Sequence, residues 1–324
     1  MRLALLSALC LLPAAMPAAH CACGGDAFPG AALSAETVAA GGVTLGWGFG
    51  YSAFEQVSRA DFEKRARQSS AGRHEGPAGL AAADLSLTWG LADGWQLGLA
   101  QTWQRMEQYR EGVVVNGVYE QREHGDLGGL KDLDLSLKAR LARGAWGALA
   151  AQAGLAIPTG SQVQSPLAGP DPAGNSLNSR ALDLPAWVQP GRGSLDGSVS
   201  LAYSYDAARW LADFSLSQSL PSTTRGYRSG EQNGAALALG WKFREHGVLY
   251  ADFIQLQSAS DTQDGRRVWA TGGAFLGAGA RLSLAVAERN QVSAQLLWPL
   301  LFGTAGEEGT RVALQGSLRW ATLF

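Results

Sequence analysis

Charge is scarce along these 324 residues: Asp, Glu, Lys and Arg together make 17% of the chain and nearly cancel, leaving a formal net charge of −2. That balance lacks the basic footprint of a nucleic-acid binder, so no nucleic-acid partner is expected. Histidine is scarcer, with only His20, His74, His124 and His246. None of them stands on an alternating segment beside an outward serine, and no G-x-S-x-G or H-E-x-x-H phrase occurs. The pattern therefore offers no positioned acid–base pair, and no catalytic residue is expected. The three cysteines, Cys10, Cys21 and Cys23, follow no lipobox, which argues against a lipid anchor. Long apolar runs are also missing: beyond the N-terminus no segment reaches the roughly 18 residues that a membrane-crossing helix needs.

What is abundant is small or aromatic. There are 42 glycines and 11 tryptophans, and short segments alternate apolar with small or polar residues. Side chains on a strand point alternately to opposite faces, so such alternation marks a sheet with one apolar and one polar side. Val43, Leu45, Trp47, Phe49 and Tyr51 oppose Thr44, Gly46, Gly48, Gly50 and Ser52; Leu133, Leu135, Leu137, Ala139 and Leu141 oppose Asp132, Asp134, Ser136, Lys138 and Arg140. The stretches at 248–256 and 271–284 have no clear phase. Very short connections, such as Ala92-Asp93-Gly94 and Asp206-Ala207-Ala208, alternate with longer ones near 58–78, 109–130, 158–193, 221–231, 257–267 and 303–310. Tight turns at one end and long loops at the other describe an outer-membrane barrel, with the tight turns facing the periplasm.

A soluble β-sandwich also alternates, but it has no reason to sort its connections by length. Nor would it gather Trp89, Trp95, Trp146, Trp210, Trp241 and Trp320 near one end, where an interfacial aromatic girdle belongs. The expectation is an all-β, transmembrane, antiparallel up-and-down barrel of about twelve strands over residues 42–324, both termini periplasmic, in the outer membrane of a Gram-negative bacterium. The chain stops on Phe324, and with Trp320 this amphipathic last strand reads as the signal for the outer-membrane assembly machinery.

Arg2, the apolar Leu3–Leu12 and the small-residue run Pro13–Ala19 read as a secretory signal over residues 1–19, cleaved near Ala19 with Cys21 or Ala22 as alternative ends. The following segment, 20–41, is expected either to enter the barrel as a plug or to hang in the periplasm. It opens with His20, Cys21 and Cys23, an imidazole and two thiols of the kind that bind copper or zinc. Three donors leave such a site incomplete, and an oxidising compartment favours disulfides over metal.

Inward parity gathers Asp84, Asp132, Asp134, Asp196 and also Asp213 with Lys138, Arg140, Lys242, Arg281 and Arg319 as lumen-lining candidates. Mixed charges inside a barrel either select polar solutes or fill a modest interior with ion pairs. A barrel of this strand number is narrow, which favours the second reading. The long stretch 158–193, with six prolines, and the aromatics Tyr109, Tyr119, Trp187 and Tyr227 are candidates for a solute mouth. Asn116-Gly117 between apolar runs predicts a protruding hairpin.

Several phrases resemble the outer-membrane proteins named for the MetA pathway of phenol degradation. They are the run Gly129–Leu141 (GLKDLDLSLKARL), the Gly154-Leu155-Ala156-Ile157-Pro158-Thr159-Gly160 one turn later, Gln189–Ser194, and Trp298-Pro299-Leu300. Lys131 stands where that family's pattern has a second glycine. The resemblance spans most of 80–324 and implies a channel for small, hydrophobic or aromatic solutes, with outer-membrane lipid around it. A different reading is a structural or envelope-associated protein whose His20/Cys21/Cys23 segment binds metal or a periplasmic partner.

Overall fold

The computed structural model describes residues 33–55, 58–68, 73–76, 78–161, 190–191, 193–224, 226–244, 247–267, 273–304 and 312–324. Twelve strands form the wall: β1 (Val43–Phe54), β3 (Gly79–Ala92), β4 (Trp95–Val115), β6 (Leu133–Gly144), β7 (Gly147–Ile157), β8 (Asp196–Asp206), β9 (Trp210–Leu220), β12 (Gln232–Arg244), β13 (Gly247–Ser258), β16 (Gly273–Ala287), β17 (Asn290–Thr304) and β18 (Val312–Leu323). All pair antiparallel with their neighbours in that order, and β1 pairs β18 over eleven positions, so the sheet closes on itself. Closure removes the two unpaired edges, which is what lets a sheet sit in hydrocarbon without orphaned backbone groups. The last bonds of the seam are made by the terminal residue: Phe324 N donates to Val43 O at 2.8 Å.

The alternation has its physical cause in this closure. On β1, Leu45, Trp47, Phe49 and Tyr51 are exposed outward while the residues between them are buried inside. β3 repeats the pattern with Leu85, Leu87, Trp89 and Leu91, and β8 and β9 with Val199, Leu201, Phe214 and Leu216. An exterior this apolar would be an aggregation surface in water and is the required surface in a bilayer.

One part of the wall rises well above the rest. Only Trp95–Ala100 of β4 pairs with β6; from Trp103 onward β4 pairs instead with β5 (Val118–Leu130), a hairpin turned at Asn116-Gly117. Both turn residues have positive φ, 51° and 80°, the geometry of the tight hairpin that this dipeptide predicts. The region expected as a long loop at 109–130 is thus an extension of the strands. Between β5 and β6 the chain breaks step at Lys131-Asp132, and the loop beyond β7 covers the break: Ser161 N donates to Leu130 O at 2.7 Å, and Gly160 N to Asp132 Oδ1 at 2.9 Å.

The connection after β1 carries a helix, α1 (Arg59–Gln68), and a short strand, β2 (Arg73–Gly76), that pairs with the raised part of β4. Ser58 caps the helix: its Oγ accepts from Asp61 N at 3.1 Å and donates to the Asp61 carboxylate at 2.6 Å. Buried Phe62 and Ala66 dock the helix, and Arg110 lies over the Phe62 ring at 5.3 Å. On the same extension, the Arg105 guanidinium holds the Asp126 carboxyl below the usual carboxylate range. Four two-residue strands, β10 (Thr223–Thr224), β11 (Tyr227–Arg228), β14 (Thr262–Gln263) and β15 (Arg266–Arg267), make a small separate sheet from the loops after β9 and β13. Buried Asp261 ties it together, accepting from Tyr227 Oη at 2.6 Å and Gly230 N at 2.7 Å. Asp261→Ala is therefore expected to loosen this sheet and quicken proteolysis between 221 and 231 in the folded protein, with the barrel transition unchanged.

Candidate functional site: a lumen in two zones

The interior divides by height. Toward the long-loop end the large inward side chains are mostly apolar: Phe54, Leu80, Met106, Ile254, Phe275 and Leu297 are all buried. Ile254, Phe275 and Leu297 pack into one cluster with Ala236 and Leu256. Ser52 and Gln315 are buried polar side chains at the level of Leu80, and Gln104 is a third. It is 1% exposed, and neither its Oε1 nor its Nε2 has a partner.

Toward the short-turn end the interior is polar and charged. Asp252, 1% exposed, takes Nε and Nη2 of Arg281 at 3.2 Å each and Nε2 of Gln295 at 2.8 Å. Arg281 also lies 3.9 Å above the centre of the Tyr250 ring. These four residues come from β13, β16 and β17, three adjacent strands. Inward glycines make room for such groups. A Cβ on Gly48 would meet Asp84 at 2.6 Å and Arg319 at 3.1 Å, so the two side chains converge over that glycine. A Cβ on Gly240 would strike the Tyr250 ring at 2.7 Å.

Residues 33–42 lie inside this lower zone. The segment touches consecutive strands from β9 to β3 before it joins β1. Leu33 N donates to Ser215 Oγ at 3.1 Å, Ala35 N to Ser204 Oγ at 2.7 Å, and Val38 N to Gln96 Oε1 at 3.0 Å. Lys138 Nζ donates to the carbonyls of Ser34 at 2.5 Å and Glu36 at 2.6 Å. Ser204 donates in turn to the Asp213 carboxylate. Leu33 and Ala35 pack against Ala148, Ala150 and Ala202 of β7 and β8. The described residues of this segment thus lie along the inner side of the wall from β9 to β3.

The other candidates from the sequence are dispersed. Arg140 pairs with Asp93 at the turn and reaches Glu36 of the internal segment at 3.7 Å. Lys242 pairs with Asp206 and donates to Ala207 O at 3.0 Å, bracing another short turn. Asp196 accepts from Ser222 N at 2.8 Å, and Asp132 from Gly160 N as above, so both hold loops to the long-loop end of the wall. Asp134 sits on β6 opposite Ala100 and Ala156. At the closing seam Trp320 Nε1 donates to Thr322 Oγ1 at 3.1 Å, and the Phe324 side chain is exposed. His20, Cys21 and Cys23, the 1–19 segment and Trp187 fall outside the described residues. Asp252, Tyr250, Gln295, Gln96 and Ser204 were not singled out from sequence. The parity of β13 is unclear for the first two, and amides and hydroxyls are common on any inward face.

A closed twelve-stranded barrel with an apolar exterior and a polar short-turn interior defines an outer-membrane β-barrel protein of a Gram-negative bacterium. No protein-family model matches the chain, and no curated protein matches it. Among solved structures it is similar to the COG4313 outer membrane channel from Pseudomonas putida F1, with 16% identity, 89% of this chain and 97% of that one covered, and a TM-score of 0.60. A more distant likeness is to the CymD monoaromatic hydrocarbon channel, with 10% identity, 88% and 89% covered, and a TM-score of 0.44. At 16% identity the likeness to the COG4313 channel is one of fold.

Proposed function

We propose that the protein is an outer-membrane channel for small hydrophobic or aromatic solutes, oriented with its short turns and both termini in the periplasm. The observation that carries this reading is the zoning of the lumen. Past Asp132 and Asp196, whose carboxylates hold the loops, a solute arriving from the long-loop side meets Phe54, Leu80, Met106, Ile254, Phe275 and Leu297 before it reaches the Asp252–Arg281 pair. Binding sites for small organic molecules are mostly apolar with a few placed polar groups, and the unpartnered amide of Gln104 is such a group. The likeness in fold to an outer membrane channel is in keeping with this role. The lower zone is unsuited to an apolar solute, and residues 33–42 fill part of it.

The test is solute entry into vesicles holding the purified, folded protein, with a small aromatic compound and a sugar of similar size compared. The aromatic compound is expected to enter faster than through protein-free vesicles, and the sugar no faster. Gln104→Leu is expected to slow phenolic solutes relative to plain hydrocarbons, by about tenfold if the lost hydrogen bond follows the usual magnitude. Sugar entry equal to aromatic entry overturns the proposal, and a general porin takes its place.

A further inference from the structure

We infer that residues 33–42 form a releasable gate at the short-turn end of the lumen, latched by Lys138 and hinged at Gly41-Gly42. The contacts holding the segment have an unusual division of labour. Wall side chains reach its backbone: Ser215, Ser204 and Gln96 take its N–H groups, and Lys138 takes two of its carbonyls. The segment forms no strand of its own and adds no rung to the ladder of the wall. Its departure would therefore leave the sheet intact, as a structural strand's departure would not.

The two ends of the segment differ. At the β1 end, Gly41 N donates to Gly90 O at 2.8 Å and Gly90 N to Gly42 O at 2.9 Å, which fixes the base to β3. Gly90 has to be glycine for this contact, because a Cβ there would lie 2.0 Å from Ala39 O. Gly41 has φ +77° and open space around it, the backbone freedom that a hinge uses. Beyond the hinge Ala35, Thr37, Ala39 and Ala40 are short, and Leu33 and Val38 are the larger apolar side chains of the segment, both buried. A cavity of about 210 Å³ lies beside the segment, lined in part by Ser34, Glu36, Arg143, Ser204, Asp206 and Asp213. Glu36 spans it to Arg140 and Arg143 at 3.7 and 3.6 Å, beyond close hydrogen-bonding range. Among the described residues, the charged group in hydrogen-bond contact with the backbone of the segment is Lys138, placed between two of its carbonyls.

The inference presumes a lumen that conducts, so its test has a readout that does not. The protein carries Cys21→Ser and Cys23→Ser, so that the only other cysteine of the chain is Cys10 in the signal, together with Ala35→Cys at a position now fully buried. Maleimide labelling of the introduced thiol is followed in the folded protein with and without Lys138→Met, which keeps the chain length and removes the charge. Labelling is expected to quicken about ten- to a hundredfold, the factor that losing a charged hydrogen bond implies for a local opening. Planar-bilayer conductance of the same pair is expected to rise with it. A folded Lys138→Met protein that labels and conducts like its parent overturns the latch.

If Lys138→Met does not fold, deletion of residues 33–40 decides. A folded deletion protein with larger steady conductance than the full chain supports the gate. One with unchanged conductance overturns it. Faster labelling with no solute passage in either form would sink the channel reading and leave the latch standing.

Discussion

Replacing Asp252 with alanine is expected to destabilise the folded barrel by about 3 kcal/mol, the lower end of the range for breaking a buried ion pair. Three donors converge on this carboxylate: two from Arg281 and one from Gln295. Without it the guanidinium keeps the Tyr250 face and loses both of its hydrogen bonds to Asp252. The lower end applies because the Arg281 side chain keeps 18% of its exposure, so lumen water recovers part of the loss. Asp252→Ala with Arg281→Met removes both charges, and it is expected to be more stable than Asp252→Ala alone. Methionine fills much of the arginine's volume, and a missing pair costs less than a pair missing one member. The measurement is a denaturant titration of tryptophan fluorescence in vesicles for the two single variants, the double variant and the parent. Strictly additive effects would mean that the two residues do not act as a pair.

That Asp252 was not among the residues read from sequence has a definite cause. Lipid demands apolar residues on one face of a strand, and where the inner face is polar the contrast reveals the register, as on β1 and β6. On β13 both faces carry apolar residues. Val248, Tyr250 and Ile254 are buried inside, while Leu249 and Phe253 face out with Ala251 and Gln255. Ile254 on the inner face packs against Phe275 and Leu297, so most inward positions around Asp252 are apolar and the phase vanished. The tip of the raised β4–β5 hairpin is legible at Asn116-Gly117, but its length was hidden for a related reason. Above the bilayer no face needs to be apolar, and strand pairing through backbone bonds leaves no periodic trace.

Lys138 illustrates the other limit. Its inward direction follows from parity alone, since Leu137 and Ala139 face out on either side of it. Its partners do not, because they are carbonyl groups of a segment with no periodicity of its own. An ion pair between two charged side chains can at least be guessed from their types; a lysine holding backbone cannot. The same holds for Ser204, Ser215 and Gln96, three of many inward polar residues until the internal segment gives them a common task. The fold was legible because the bilayer imposes one chemistry on every second residue. The lumen was only partly legible, because close contact there is made residue by residue.

The same contrast sets the second large effect. Leu216 and Ser217 are neighbours on β9 that point to opposite sides of the wall, Leu216 45% exposed on the outer face and Ser217 inward across from Gly234. Leu216→Arg places a charge near the middle of the hydrocarbon, where the cost is about 2–4 kcal/mol. Ser217→Arg places the same side chain in the lumen, where water and the inward carboxylates receive it, and the expected loss is about 1 kcal/mol or less. Urea titration of refolding into vesicles, with the heat-dependent gel shift as the mark of a closed barrel, compares the two directly. The inward variant is also expected to narrow the lumen and lower conductance; the outward variant, where it folds, is not. Equal losses at the two positions would mean that β9 does not present its odd and even residues to different media. The assignment of an outer and an inner face on this strand, and with it the height at which the internal segment crosses Ser215, would then have to be redrawn.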